Sequence, residues 1–311
     1  MAARQLSSLF LRAVARPVSA RMDKTGSAIA SALPFGKAWR ESNMAWLGAD
    51  EVNRAAFSKT LFGTPLMGVG VYVVGDTMVD SGFSFFESEV VSYAQKLGVK
   101  RVVLTHFHED HSGNVKALQN AGCEVVAPRL TAKMMEEHLP IHPYRHITWS
   151  TPHFCTPDTI VDEGDEVKIG NYTAVAHSCP GHSHDQMAYF VEEKGWLFAG
   201  DAYVHAKVPV ALVVEDYIKT LHSCKKLAAL PGLGPLFCAH RPQPDAVEAF
   251  GKKTEYKKDE YVSRVRALHQ QGLSELEIAM KATSFSPFMW AYTLGDVTPV
   301  SIVYSIIHGK P

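Results

Sequence analysis

The stretch His106-Phe107-His108-Glu109-Asp110-His111 places three histidines and an aspartate within six residues, directly after the apolar run Val102-Val103-Leu104. Imidazole and carboxylate are the borderline ligands that zinc prefers, and the alternation in H-x-H sends both imidazoles to one side of an extended backbone. Asp110 and His111, past a turn, are then placed to face a second ion. Single donors of the same types recur downstream: His182 in Pro180-Gly181-His182, Asp201 after Gly200, and His240 after Phe237-Cys238-Ala239. A lone histidine is ordinarily a satisfied core or surface residue. Four apolar runs that all end on matching donors point instead to one shared site. Water between two divalent cations is acidified toward neutral pH and, as hydroxide, attacks a polarised carbonyl or phosphoryl group. Because the donors come from separated strand ends, metal loss should cost stability as well as activity. Each ligating imidazole needs a partner on its other nitrogen, and Ser112, Thr105, Asp80 and Asp185 are the candidates.

The elements that must carry these residues read as mixed α/β. Val69, Val71 and Val73 alternate with smaller residues, Gly75-Asp76 supplies a turn, and Met78-Val79-Asp80 returns as the second arm of a hairpin. Glu87–Leu97 is helical with Gly98 as its stop, Arg101–Thr105 is a short buried strand, Cys123–Val126 another, and Thr131–His138 a helix. Strands follow at Glu166–Gly170 and Tyr172–Ala176, and a hairpin at Met187–Val191 and Trp196–Phe198. Helices dominate after Pro209: Asp216–Leu230, Asp259–Gln271, one opened by a Ser274/Glu277 capping box, and Val297–Ile307. Gly36–Pro65 reads as irregular structure with some helix. The His-, Pro- and aromatic-rich segment between His138 and Asp158 is too long for a simple connector. Its His138, His142, Tyr144, His146, Trp149, His153 and Phe154 either cover the mouth of the site or pack against the C-terminal helices.

The ordered series H-x-H-x-D-H, P-G-H, G-D and a last His, from Met67 to about His240, resembles the metallo-β-lactamase fold superfamily. That resemblance implies a four-layer αββα fold with the metals at one edge of two facing sheets, here with a helical C-terminal extension. It implies a first metal on His106, His108 and His182, and a second on Asp110, His111 and His240, with Asp201 bridging both. The implied activity is a dinuclear hydrolase that uses a metal-bridging hydroxide on a small ester, thioester or lactone. Zinc is the expected metal, with iron or manganese as alternatives. Within the superfamily, Asp201 stands where zinc β-lactamases commonly use cysteine, and His108 where flavodiiron proteins carry glutamate. The run Ala202–Pro209 lacks the glycine- and cysteine-containing segment of glyoxalase II, a departure that also separates the chain from mononuclear iron persulfide dioxygenases. Residues 180–201 are similar to the branch that includes mitochondrial endoribonucleases, but Leu236-Phe237-Cys238-Ala239-His240 departs from that branch's P-G-H-G ending. Endoribonuclease or phosphodiesterase, and persulfide dioxygenase, therefore stand as alternatives. Asp110, Tyr203 and His205 are the candidate catalytic groups, the last two as oxyanion or leaving-group partners, although either is equally readable as packing.

Composition bounds the rest. Of 311 residues 46% are hydrophobic and 20% charged, which excludes a disordered chain, and no run approaches the roughly 18 apolar residues of a membrane span. Five scattered cysteines with no C-x-x-C pair suggest neither a disulfide framework nor a cysteine zinc knuckle. No acidic residue precedes Asp23, while Arg4, Arg12, Arg16 and Arg21 oppose an apolar stripe of Leu6, Leu9, Phe10, Ala13 and Val14. Residues 1–22 thus read as a mitochondrial presequence that directs the protein to the matrix, followed by a catalytic domain over 23–250 and a helical extension over 251–311. Without the leader's four arginines, 27 basic residues face 32 acidic ones, a net charge of −5. An acidic body argues against nucleic acid as a partner and for a small-molecule substrate. The one basic run, Lys252, Lys253, Lys257 and Lys258, reads as a solvated helix face. No membrane partner is expected, and a homodimer stays open.

Overall fold

The computed structural model describes residues 35–137, 141–207, 210–256, 261–282 and 286–309. The expected presequence, His138, Lys257 and Lys258 lie outside them. Seven strands form the first sheet in sequential order: β1 (Phe35–Met44), β2 (Ala49–Leu61), β3 (Thr64–Val74), β4 (Thr77–Val79), β5 (Arg101–Val103), β6 (Glu124–Pro128) and β7 (Thr159–Val161). The second sheet takes β8 (Glu166–Ile169), β9 (Tyr172–Ser178), β10 (Met187–Val191), β11 (Trp196–Gly200) and, after a short β12 (Ala211–Leu212), β13 (Leu236–Cys238), in the order β13-β11-β10-β9-β8.

The period of two decides how these sheets stack. In β3, Tyr72 and Val74 face the second sheet, while Val71 and Val73 face the opposite way. Tyr72, Val79, Val103 and Val126 from one sheet meet Ile169, Tyr189, Phe198 and Phe237 from the other, so the sheets share a dry interior. Burying rings such as Phe198 and Phe237, stacked at 4.7 Å, contributes about 2–3 kcal/mol each. The outer face of the first sheet packs on α1 (Glu87–Lys96), the short α2 (Glu109–Ser112), α3 (Val115–Asn120), α4 (Arg129–Glu136) and α5 (Pro143–Trp149), with Phe86, Val90, Tyr93, Leu118 and Trp149 in the seam. The outer face of the second packs on α6 (Tyr217–Ala228) and α7 (Ala246–Tyr256) through Cys224, Leu227 and Phe250. Helix, sheet, sheet and helix make the four layers that the sequence resemblance implied.

Helix α6 is buried on both sides. Its Ile218 and Leu221 pack with Val265 of α8 (Ser263–Gln270), Ile278 of α9 (Glu275–Ala282) and Ile302 and Ile306 of the terminal α11 (Pro299–His308). Between them lies α10 (Pro287–Tyr292), started by Ser286, whose hydroxyl accepts from Met289 N. The Ser274/Glu277 capping box is present, with Ser274 N donating to Glu277 Oε2 at 2.9 Å. Among the described residues no helix is long and apolar enough to cross a membrane.

Three expectations need correction. Gly36–Pro65 is not irregular: β1 and β2 pair antiparallel from Phe35↔Leu61 to Asn43↔Asn53, and β2 pairs on β3. Its Ala, Lys and Arg content reads as helix or loop locally, but burial of Val52, Ala55 and Phe57 against the core overrides propensity. Val297-Thr298 do not begin the last helix; as β14 (Val297–Thr298) they pair with Ala211 and Leu212. Lys253 is not on a solvated face. It is 3% exposed, and its Nζ donates to the carbonyls of Ala202 (2.9 Å) and Tyr203 (2.5 Å).

Candidate metal centre

The donor residues sit just past the C-terminal ends of β5, β9, β11 and β13, which all open on the same edge of the sandwich. His106 and His108 follow β5, and Asp110 and His111 lie in the single turn of α2. His182 follows β9, Asp201 follows β11 and His240 follows β13.

Two glycines explain why these turns carry the motifs they do. At Gly181 φ is +144° and a Cβ would lie 2.3 Å from Thr220 N, because the P-G-H turn rests on the N-terminus of α6. At Gly200 φ is +48° and a Cβ would lie 2.5 Å from Thr105 Oγ1, which separates Asp201's strand from the residue beside His106. Only glycine tolerates both the backbone and the approach.

Donor atoms of His106, His108 and His182 all lie within 4.8 Å of one another, as do those of Asp110, His111, Asp201 and His240. His108 Nδ1 is 3.0 Å from His182 Nε2. Asp201 Oδ2 is the hinge between the groups: it lies 3.5 Å from His182 Nε2, 3.5 Å from His111 Nε2 and 3.1 Å from His240 Nε2. Asp110 Oδ2 is 3.7 Å from His111 Nε2 and 3.6 Å from His240 Nε2.

The second ring nitrogens are occupied outside the cluster. His111 Nδ1 meets Asp80 Oδ2 at 2.8 Å, and His106 Nδ1 meets the Thr105 hydroxyl at 3.0 Å. Thr105 in turn gives its backbone N–H and hydroxyl to Asp80, so one buried carboxylate backs both groups of donors. Asp80 holds φ +59°, strained for a residue with a side chain and placed where it serves two imidazoles. Asp185 works differently from expectation: it accepts from Phe107 N (2.7 Å) and the Thr131 hydroxyl (2.7 Å), fixing the backbone between the two histidines. Ser112 donates to the carbonyls of Phe107 and His108 and touches no imidazole.

Several partners escaped sequence reading. His240 Nδ1 faces the Gly68 carbonyl at 2.7 Å, and His182 Nδ1 lies 3.4 Å from Glu215 Oε1. Glu109, 2% exposed, accepts from Arg145 Nε at 2.8 Å. A backbone carbonyl leaves no mark in a sequence. Glu215 precedes α6 by only two residues, and its acidic side chain near a helix start reads as ordinary.

The electrostatics of the two groups differ. Burial pushes His106 and His108 well below the ordinary imidazole value, with neighbouring positive groups adding to it. Burial would also lower His111, but the Asp201, Asp80 and Asp110 carboxylates hold it well above that value. The same contest at His240, won by Asp201, lifts it to about 9. Asp201 itself, which burial would raise, is held far below the carboxylate range by His240 and His111. The carboxylates thus favour positive charge at this corner. His106 Nε2, His111 Nε2 and Asp201 Oδ1 are buried without a hydrogen-bond partner, a costly arrangement that direct coordination would relieve. Imidazole and carboxylate in this set fit divalent cations.

The structure does not bring Tyr203 and His205 to the donors' open side. Tyr203 packs in the core beneath α7, 6.4 Å from the Phe250 ring, and His205 Nδ1 accepts from Lys207 N. A cavity of about 340 Å³ opens onto His108, Asp110, His182, Asp201 and His240, and neither residue lines it. Helix α5, inside the segment whose two readings were a lid and a packing element, does both. Tyr144, Arg145, Thr148 and Trp149 line the cavity, while Tyr144 donates to Asp296 Oδ2 (2.8 Å) and Thr148 Oγ1 meets Tyr292 OH (2.9 Å). His146 and His153 do not line it, and they bond Thr151 and Glu87 instead.

Comparison with known proteins agrees with this geometry. The profile of the Metallo-beta-lactamase superfamily matches residues 65–240. A hydroxyacylglutathione hydrolase of Bdellovibrio bacteriovorus is 28% identical over 148 residues, 47% of this chain and 51% of that protein. The chain thus spans about half the length of such curated relatives. A Beta-lactamase-like protein 2 homolog of Caenorhabditis elegans is 23% identical over 257 residues, 76% of this chain and 78% of the relative. Among solved structures, a metallo-beta-lactamase from Pontibacter korlensis covers 71% of this chain and all of its own at TM-score 0.58 and 19% identity. A beta-lactamase domain protein from Burkholderia ambifaria covers 88% of this chain and 86% of its own at TM-score 0.57 and 20% identity. With the ordered donors, the four layers and a profile match over more than half of its length, the chain belongs to the metallo-beta-lactamase superfamily.

Proposed function

We propose that the protein is a dinuclear metallohydrolase, with zinc as its metal and a small ester, thioester or lactone as its substrate. The observation that carries this reading is the position of Asp201 Oδ2, within 3.5 Å of imidazole nitrogens from both donor groups. His106, His108 and His182 would hold one ion, and Asp110, His111 and His240 the other, with Asp201 shared. Two divalent ions so placed supply a water of lowered pKa and a Lewis acid for a carbonyl oxygen.

The chain's own residues do the remaining work. Asp80 fixes His111 directly and His106 through Thr105, so neither ring rotates away. Asp110 lines the cavity, where one carboxylate oxygen would hold the second ion and the other would be free to accept a proton from water. Trp149 and Tyr144 wall the donors from solvent on the side of α5. Thioester chemistry is supported by the similarity to hydroxyacylglutathione hydrolases. We further propose the mitochondrial matrix as its site of action, on the leader expected at 1–22.

Elemental analysis of protein purified without added metal, combined with a panel of esters, thioesters, lactones and phosphodiesters, tests the reading. Two ions per chain and turnover of a carboxylic ester or thioester are expected. One iron per chain with oxygen uptake, or turnover confined to phosphodiesters, refutes it.

A further inference from the structure

The cavity beside the donors has a lining of two unlike kinds. His108, Asp110, His182, Asp201 and His240 are the first. The second is a set of apolar side chains that converge from distant parts of the chain: Leu212 on β12, Met289 and Tyr292 on α10, Val297 on β14 and Met67 on β3. The β12–β14 pair helps to assemble this set, since Leu212↔Val297 joins the C-terminal extension to the residues after Asp201. The sequence motifs account for the first kind only.

The charged groups along the cavity are all engaged. Arg145 gives its guanidinium to the buried Glu109, and the Lys253 ammonium is taken by the carbonyls of Ala202 and Tyr203. Glu215, also on the wall, faces His182. Tyr144 is kept neutral, because burial raises its hydroxyl's pKa and the hydroxyl donates a hydrogen bond to Asp296. A phosphate or carboxylate entering along this lining would find no uncommitted side-chain cation. An alkyl chain would find side chains that otherwise face water.

We infer that the apolar lining forms an acyl pocket: the substrate carries an uncharged acyl chain that lies against Met289, Tyr292 and Leu212, with its carbonyl at the donors. This rests on the hydrolase reading, and it narrows that reading from small esters in general to apolar acyl esters and thioesters. Leu212, Met289 and Tyr292 are then specificity-determining residues rather than catalytic ones.

Two measurements on the full chain test this. The first is turnover of S-acyl N-acetylcysteamine thioesters from acetyl to octanoyl. Each added methylene should raise kcat/KM by about threefold until the pocket is filled, and Met289→Trp should move the optimum to shorter chains, lowering the octanoyl-to-acetyl ratio of kcat/KM by about tenfold or more. The second is calorimetric binding of 1-octanol, a neutral probe that needs no turnover. It should bind at least tenfold more tightly than 1-butanol and lose that advantage in Met289→Trp. Thioester turnover with no chain-length dependence, and octanol binding unchanged in Met289→Trp, overturns the acyl pocket and leaves the hydrolase. Octanol binding that Met289→Trp abolishes, without turnover of any ester or thioester, supports the apolar pocket and overturns the hydrolase.

Discussion

The donor edge and the wall that faces it are built by opposite means. At the donor edge every imidazole but His108 has its second nitrogen fixed by a named partner, and β5, β9 and β11, which lead to all the donors but His240, pair on both flanks. The wall is made of α5 and the C-terminal helices, joined to each other by bonds from Tyr144 to Asp296 and Thr148 to Tyr292, with Arg145 on Glu109 and Lys59 on the carbonyl of Ile147 tying α5 to the sandwich. Chemistry that needs donors held within tenths of an ångström sits on the rigid side. Selection of what enters sits on the side where a side chain can change without moving a strand. Damage to the edge should therefore appear in kcat and metal content, and damage to the wall in KM and substrate choice.

The largest effect is expected from Asp201→Ala, which removes the carboxylate shared by both donor groups. Loss of Lewis-acid stabilisation should lower kcat/KM by about a thousandfold or more, with metal content falling at both sites. Asp110→Ala should lower activity by about a hundredfold or more while one ion per chain remains and the fold persists. Equal metal loss in the two variants, read by elemental analysis, would show that the edge is one cooperative site instead of two.

Asp80→Asn sharpens the same comparison from behind the ligands. It keeps the side chain's size but weakens its hold on His111 and Thr105, and a loss of about 10- to 100-fold in metal affinity is expected. A chelator titration checks this, and the melting temperature of the metal-free protein should change much less. If metal affinity is unchanged, Asp80 shapes the strand end without tuning the donors.

How much of this was legible in the sequence follows the same divide. His106, His108, Asp110, His111, His182, Asp201 and His240 could be read because ligand chemistry restricts residue type, and strand ends mark their place by apolar runs and glycines. Asp80 and Thr105 were reachable for the same reason. The part of the wall beyond α5 was not readable in that way, since Leu212, Met289, Tyr292 and Val297 are ordinary apolar residues whose meeting depends on the β12–β14 pairing across some 85 residues. Lys253 misled because a lysine among charged neighbours on a helix looks solvated, and only the sharp turn after Asp201 turns two carbonyls toward it. β1 and β2 misled because their alanines and charges favour helix locally, whereas pairing on β3 makes them strands.

On the wall, Tyr144→Phe removes the bond to Asp296 and should raise KM for an acyl substrate severalfold while kcat stays within about twofold, the counterpart of one lost hydrogen bond of about 1 kcal/mol. A fall in kcat with KM unchanged would place Tyr144 with the catalytic edge.

The smallest effect expected concerns Lys59, whose ammonium is buried beside the Phe35 and Phe85 rings and donates to Ile147 O at 2.7 Å, at the end of α5. Burial lowers its pKa to about 8, below the 10.5 of an ordinary lysine. Between those values the unfolded chain binds more protons at this residue than the folded one, so folded stability rises with pH across the window. Below it both states are protonated, and the folded protein carries the full cost of a buried charge. Lys59→Met removes this proton linkage and nothing at the donor edge. The difference in melting temperature, wild type minus variant, should therefore increase from pH 7.5 to 9.5, while metal content and kcat stay as in the wild type. Parallel melting curves would mean that the ammonium keeps its ordinary affinity for protons, with water reaching it beneath α5, and a drop in kcat would show that the wall and the edge are mechanically coupled after all.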